Sequence, residues 1–227
     1  MEYVEVARAE SERGEVVLRE RRDPELGENA PAALELRVNG VFVMDTLETA
    51  TEQELARVAL AHAGEPRAVL VGGLGLGFTM HEVLGDTRVE QVDVVEIEPA
   101  LVRWMRDGTV PHGPSYLADA RVRVLEADIR TAVAEATPAA YDLVLLDVDN
   151  GPDFLVHADN ARVYEDDFLH RVAAVLRPGG VVAIWSASES EVLRGVMQQV
   201  FGDVAPVPYD VRLQTRDEQY WLYLARA

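Results

Sequence analysis

Val69-Leu70-Val71-Gly72-Gly73-Leu74-Gly75-Leu76-Gly77, answered by Val94-Val95-Glu96-Ile97-Glu98, decides how this chain is read. An apolar run ends in a glycine-rich turn, a helical segment follows, and a second apolar run closes on an acid. Glycine lets backbone approach a ligand closely at the mouth of a helix, where unpaired N–H groups point outward. Glu96 falls about 20 residues beyond the last glycine, the interval at which a βαβ unit brings a carboxylate to a bound ribose. The glycines alone are a weak signal. Strand, turn, helix, strand and acid in that order predict an adenosine-type ligand above the carboxyl ends of a parallel sheet.

Strands and helices keep alternating downstream of this unit. Runs at 68–71, 92–97, 122–125, 141–146 and 181–185 read as strands, and the near-continuous Leu143-Val144-Leu145-Leu146 suits a strand buried on both faces. Helices are expected from Gly77, from Pro99 in a first turn, over 129–136, over 165–176 after a long loop, and over 189–200 with Ser188 as cap. Pro178-Gly179-Gly180 reads as the turn into the fifth strand. Runs at 204–211 and 220–224 then read as an antiparallel pair. The chain is thus expected to be α/β, with a seven-stranded, mostly parallel, doubly wound sheet that carries an antiparallel end strand. That is a class I methyltransferase-like sheet rather than a plain dinucleotide fold.

Upstream, residues 1–48 read as a small β appendage, leaving 49–227 as the main domain. Leu34–Val38 and Val41–Met44 flank Asn39-Gly40, the strongest short-range hairpin signal because both turn residues need positive φ. Arg21 to Pro31 reads as a loop. From Thr51 the period becomes helical, with Thr51 and Glu54 spaced as a capping box.

Bulk properties narrow the function. The 227 residues carry a formal charge of −19, which opposes a nucleic-acid backbone as partner and attracts a cationic one. Cysteine is absent, removing thiolate chemistry and sulfur-based zinc sites. No His pair falls at ligand spacing, so no metal is expected. No apolar run reaches the roughly 20 residues that span a bilayer, and no signal peptide opens the chain, so no membrane association and a cytoplasmic location are expected.

In an open α/β sheet, ligands bind beyond the carboxyl ends of the strands. Three acids stand there: Glu96, Asp128 and Asp147. Glu96 is placed to accept from ribose hydroxyls, and Asp128 from an adenine amino group, with the N–H of Ile129 reading a ring nitrogen. Asp128 also suits a plain helix N-cap. Beyond Asp147, the stretch Asp149, Asn150, Asp153, His157, Asn160 and Tyr164 crowds the position where a reacting carbon belongs.

These segments resemble the spermidine synthase family. The resemblance rests on Gly72-Gly73-x-Gly75-x-Gly77, Val94–Glu98, Ala120–Val124, Ala127-Asp128 and Tyr141–Asp147, and extends from about Leu36 to Ser190. It implies aminopropyltransferases and related methyltransferases that use adenosylmethionine or its decarboxylated form. On this resemblance, Gly72, Gly73, Gly75, Gly77, Glu96, Ile97, Ala127, Asp128, Ile129 and Asp147 hold the donor. Asp147 and Asp149 are the catalytic candidates, and Asn150, Asp153 and Tyr164 contact the acceptor.

The departures carry equal weight. The family's Gly-Gly-Gly-Asp-Gly-Gly has no acid here, where Leu74-Gly75 stands, and its Asp-Ser-x-Asp-Pro reads Asp147-Val148-Asp149-Asn150-Gly151. The helix that lines the family's amine pocket reads Leu55-Ala56-Arg57, without the expected Tyr-His pair. Methyl transfer to a small acceptor, a cationic amine among the candidates, is therefore preferred. Aminopropyl transfer to a polyamine and a catalytically idle nucleoside-binding module are the alternatives. A homodimer built on the β appendage is the expected assembly.

Overall fold

In a computed structural model the described residues are 1–26, 32–213 and 216–227. Strands β1 (Glu2–Ser11), β2 (Gly14–Arg22), β3 (Ala33–Val38) and β4 (Val41–Asp45) form an antiparallel sheet in that order. Asn39 and Gly40 take φ of 51° and 76°, as the Asn-Gly turn demands. The expected loop from Arg21 begins later, because β2 runs to Arg22 and a 3-10 turn at Pro24–Leu26 follows. The rest of that expected loop, 27–31, lies outside the described residues.

Helix α1 (Ala50–His62) begins one residue before the expected cap. The Glu48 carboxylate accepts from the N–H of Ala50 at 3.2 Å, which fixes the start upstream. Thr51 therefore lies inside the first turn, buried, and its hydroxyl donates to the Glu52 carboxylate at 2.7 Å. The Thr51–Glu54 capping box does not form.

The main sheet then assembles as the alternation predicts. Its elements are β5 (Ala68–Gly72), α2 (Phe78–Leu84), β6 (Gln91–Glu96), α3 (Pro99–Asp107), α4 (Gly113–Leu117), β7 (Val122–Glu126), α5 (Ile129–Glu135), β8 (Tyr141–Leu146), α6 (Asp166–Val175), β9 (Leu176–Ser186), α7 (Glu191–Phe201), β10 (Val204–Leu213) and β11 (Arg216–Arg226). Strand order is β10-β11-β9-β8-β5-β6-β7. Strands β5 to β9 pair in parallel, while β11 runs antiparallel to both β9 and β10. The fold expectation holds in full.

Three local expectations are corrected. Helix α4 was not foreseen, being five residues long with Gly113 and Pro114 at its start. Pro178-Gly179-Gly180 is not a turn into a strand but a bulge within β9. Leu176 pairs with Tyr141 and Val181 with Leu143, and Gly179 donates to the carbonyl of Ala227 at 2.9 Å. The cap of α7 is Ser190, whose hydroxyl accepts from Leu193 N–H at 3.3 Å; Ser188 instead donates to Asp153 at 3.0 Å.

Apolar packing explains the layers. On one face of the sheet Val71, Val94, Leu143 and Leu145 pack with α1, α2 and α3, and with Val16, Leu18 and Leu36 of the appendage. On the other, Leu70, Val144, Leu146 and Ile184 pack with α5, α6 and α7. Alternate residues of β8 thus enter opposite cores, which is why its sequence shows no polar alternation. With both faces covered, the carboxyl edge is the part of the sheet left for a site.

The turn after β5 sits at that edge and is held tightly. Gly73 takes φ of 99°, and a Cβ there would lie 2.1 Å from the backbone oxygen of Asp147. Backbone cannot swing aside as a side chain can. Gly73→Ala is therefore expected to cost about 3 kcal/mol, the upper part of the overpacking range, in reversible denaturant unfolding. An unchanged midpoint would contradict the close approach.

Candidate active site

The strand tips surround a cavity of about 620 Å³. Each tip acid arrives because its strand ends there. Glu96, at the end of β6, is buried and accepts from the N–H groups of Leu74 (3.0 Å) and Glu98 (2.8 Å). It thereby ties the glycine turn to the neighbouring strand while its carboxylate still faces the cavity. Burial raises its pKa, and these backbone donors oppose the rise.

Asp128 follows β7 and is the N-cap of α5, accepting from Arg130 N–H at 2.8 Å. It is also paired with the Arg130 guanidinium at 2.6 Å and lines the cavity. The capping and the binding readings thus apply to one side chain. Partial burial pushes its pKa up, but the Arg130 side-chain and backbone hydrogen bonds outweigh that and leave it below the usual carboxylate value.

Gly73, Gly75, Ile97, Ala127 and Ile129 line the same cavity. Gly72 closes β5, its carbonyl accepting from Asp147 N–H at 2.9 Å, and Gly77 stands at the start of α2. A Cβ on Gly75, at φ of 50°, would lie 2.7 Å from the sulfur of Met44. Leu74 and Met44 flank the turn on the cavity wall, and a side chain at Gly75, the position where the resemblance places an acid, would have to displace the Met44 thioether.

Asp147 follows β8 into the cavity and accepts from the Thr79 hydroxyl at 2.8 Å. Thr79 stands in the first turn of α2, and its hydroxyl is also 3.3 Å from the backbone oxygen of Glu52. Burial pushes Asp147 up to about 6. Burial and then the nearby Asp147 charge push Glu52 up to about 7.

Downstream of Asp147 the expected residues separate. Asp149 holds φ of 64°, uncommon for a residue with a side chain, and lines the cavity. Both its oxygens are engaged within the loop, by Val156 N–H (2.6 Å) and Asn160 Nδ2 (2.7 Å). Asn150 lines the cavity. Asp153 and Tyr164, expected at the acceptor, do not reach it. Asp153 is exposed and taken by Ser188. Tyr164 is buried and donates to the carbonyl of Val148, propping the loop from below, and burial raises its pKa. In a loop without periodicity, spacing along the chain does not say which side chains turn inward.

The sequence reading missed three contributors. Glu52 was hidden by the capping box, which drew attention to its neighbours; its place in a first helical turn beside a strand edge was the usable signal. Thr79 carried no motif. Arg13 lies on the β1–β2 turn, 3.3 Å from Glu98 and 3.3 Å from Asn160, and among the described residues it is the one Lys or Arg side chain on the cavity wall.

A seven-stranded sheet of this order, with acids at three successive tips and a glycine turn beside the first, defines a methyltransferase-like fold. The family model for the spermine/spermidine synthase domain matches residues 48–212. The chain belongs to that family. It is 32% identical over 176 residues to polyamine aminopropyltransferase 2 of Pseudomonas aeruginosa, covering 71% of this chain and 48% of the relative. It is 31% identical over 136 residues to putrescine N-methyltransferase 3 of Nicotiana tabacum, covering 59% of this chain and 34% of the relative. The chain thus spans half or less of the length of these two relatives. A spermidine synthase solved with the transition-state analogue AdoDATO superposes with a TM-score of 0.81 at 17% identity, covering 98% of this chain and 73% of that one.

The raised carboxyls have a stability signature. A carboxyl whose pKa is higher folded than unfolded contributes stability below its unfolded value, and this is lost as pH rises through the folded value. For Glu52 the window runs from 4.5 to about 7. Glu52→Gln is expected to raise the melting temperature at pH 8 by about 2–4 °C, the shift that about 1 kcal/mol gives in a domain of this size. At pH 4 it should leave it unchanged. A melting temperature lowered at both pH values would show that the charge is not strained in the fold.

Proposed function

We propose that this chain binds an adenosine-bearing sulfonium donor and catalyses transfer of its methyl group to a small amine. Glu96 holds the ribose, Asp128 and the Ile129 N–H the adenine, and Gly73 and Gly75 admit the chain that carries the sulfur. The fit is supported by the cradle itself: side chains at those two glycines would meet Asp147 backbone and Met44 sulfur. When bound, adenosylmethionine supplies an electrophilic carbon on a positively charged sulfur. The protein's part is to line up the nucleophile, exclude water and accept a proton. Asp147, half-buried on the cavity wall, belongs with the neighbouring Glu52 to the acidic cluster suited to the last task. Asp149 and Asn150 shape the loop around it.

One observation carries the choice of methyl over aminopropyl transfer. The part of the wall formed by Leu74, Gly75 and Met44 offers no carboxylate at the glycine turn to hold the free ammonium of an aminopropyl donor. The named activities of the relatives keep aminopropyl transfer as the second reading. The division into a 1–48 appendage and a 49–227 transferase domain belongs to this proposal. Among the described residues, no helix is long and apolar enough to cross a membrane.

Isothermal titration separates the two readings. Adenosylmethionine is expected to bind at least about tenfold more tightly than its decarboxylated form, a difference of about 1.4 kcal/mol. Tight binding of the decarboxylated form with none of adenosylmethionine would overturn the methyl reading.

A further inference from the structure

We propose that Glu52 is a catalytic residue of this site, forming with Asp147 a carboxyl pair that holds the acceptor's ammonium nitrogen and takes its proton. The inference rests on the transferase reading above and adds a residue outside the glycine turn and outside the loop after β8.

The geometry is specific. Glu52 enters the cavity from the first turn of α1 and Asp147 from the tip of β8, two elements brought together by the packing of α1 on the sheet. Thr79 stands between them, its hydroxyl donating to Asp147 at 2.8 Å and lying 3.3 Å from the Glu52 backbone oxygen. Thr51 donates to the Glu52 carboxylate at 2.7 Å, which fixes that side chain without neutralising it. No guanidinium or ammonium is bonded to either carboxylate among the described residues, whereas the buried acids Glu35, Asp45 and Asp93 have arginine partners and Glu96 is held by backbone N–H groups. Half-buried carboxylates with no cationic partner suit a cationic ligand.

The surrounding wall points to the same ligand. Trp185, all but 9% buried, lines the cavity and meets Tyr220 edge to face at 5.1 Å. Aromatic faces beside carboxylates suit an ammonium group. Glu48, Glu218 and Tyr220 are the other titratable groups on this side of the cavity. All are acidic or phenolic, so the local field favours a cation throughout.

The chemistry balances. A protonated amine, R–NH₃⁺, gives one proton to the Glu52 carboxylate: an N–H bond breaks and an O–H bond forms. The freed nitrogen lone pair forms the new N–C bond as the C–S bond breaks, and its electron pair stays on sulfur. Sulfur becomes a neutral thioether, nitrogen carries the positive charge, and the proton on Glu52 leaves to solvent. Burial and then the nearby Asp147 charge lift Glu52 to about 7, close to where a base must sit to work near neutral pH.

The test is calorimetry with 1,4-diaminobutane as the cationic probe, titrated at pH 6.5 into protein saturated with adenosylhomocysteine. Two buffers of different ionisation enthalpy report protons released. The wild type is expected to bind the diamine and release up to one proton, and 1,4-butanediol to do neither. Glu52→Gln should weaken the diamine at least about tenfold and abolish the release, while adenosylhomocysteine affinity stays within about twofold. Glu52→Asp should recover part of both. Undiminished diamine binding in Glu52→Gln, or equal proton release in the two proteins, overturns the inference, as does failure of the wild type to bind the diamine at all. Failure of the wild type to bind adenosylhomocysteine instead overturns the transferase reading beneath it.

Discussion

The buried carboxylate of Glu96 must find donors, and it finds them in the backbone of two different strand tips. Leu74 N–H belongs to the turn after β5 and Glu98 N–H to the segment after β6. A carboxylate taken out of water without such partners would be protonated or expelled. Satisfying Glu96 therefore fixes the glycine turn against β6, and Gly73 in turn lies against the Asp147 backbone at the tip of β8. Three strand ends are thus joined, β5 to β6 through the Glu96 hydrogen bond and β5 to β8 through a contact at Gly73 that leaves no space for a Cβ. This constraint sets where the glycine turn and the tips of β6 and β8 stand around the cavity.

Charge gives the site its direction. The half of the cavity beside β6 and β7 holds acids already engaged by backbone or arginine, as Glu96 and Asp128 are. The half near α1 holds Glu52 and Asp147, which lack such partners and are pushed up towards neutrality by burial. The first arrangement suits hydroxyl and amino donors of a neutral ligand, and the second suits a cation that can lose a proton. Arg13, from the appendage, bridges Glu98 beyond β6 and Asn160 of the loop after β8.

Much of this was legible in the sequence because it depends on short-range rules. Strand, glycine turn, helix and tip acid recur with fixed spacing, so Glu96, Asp128 and Asp147 were found from order alone, and the antiparallel β10–β11 pair from alternation. The failures are long-range. Glu52 joins Asp147 across 95 positions of chain, Arg13 reaches Glu98 from another sheet, and Asp153 turns outward to Ser188 rather than inward. The α1 start was misplaced because a Glu48 carboxylate, not a hydroxyl three residues before a glutamate, satisfies its first N–H. The Pro178-Gly179-Gly180 bulge resembles a turn in sequence because both need the same residues.

The account stands or falls on where an adenosine ligand lies. A crystal structure with adenosylhomocysteine should place both ribose hydroxyls on Glu96, the adenine amino group beside Asp128, and the thioether sulfur facing Asp147. Adenosylhomocysteine seated elsewhere, or a ribose turned away from Glu96, would contradict it.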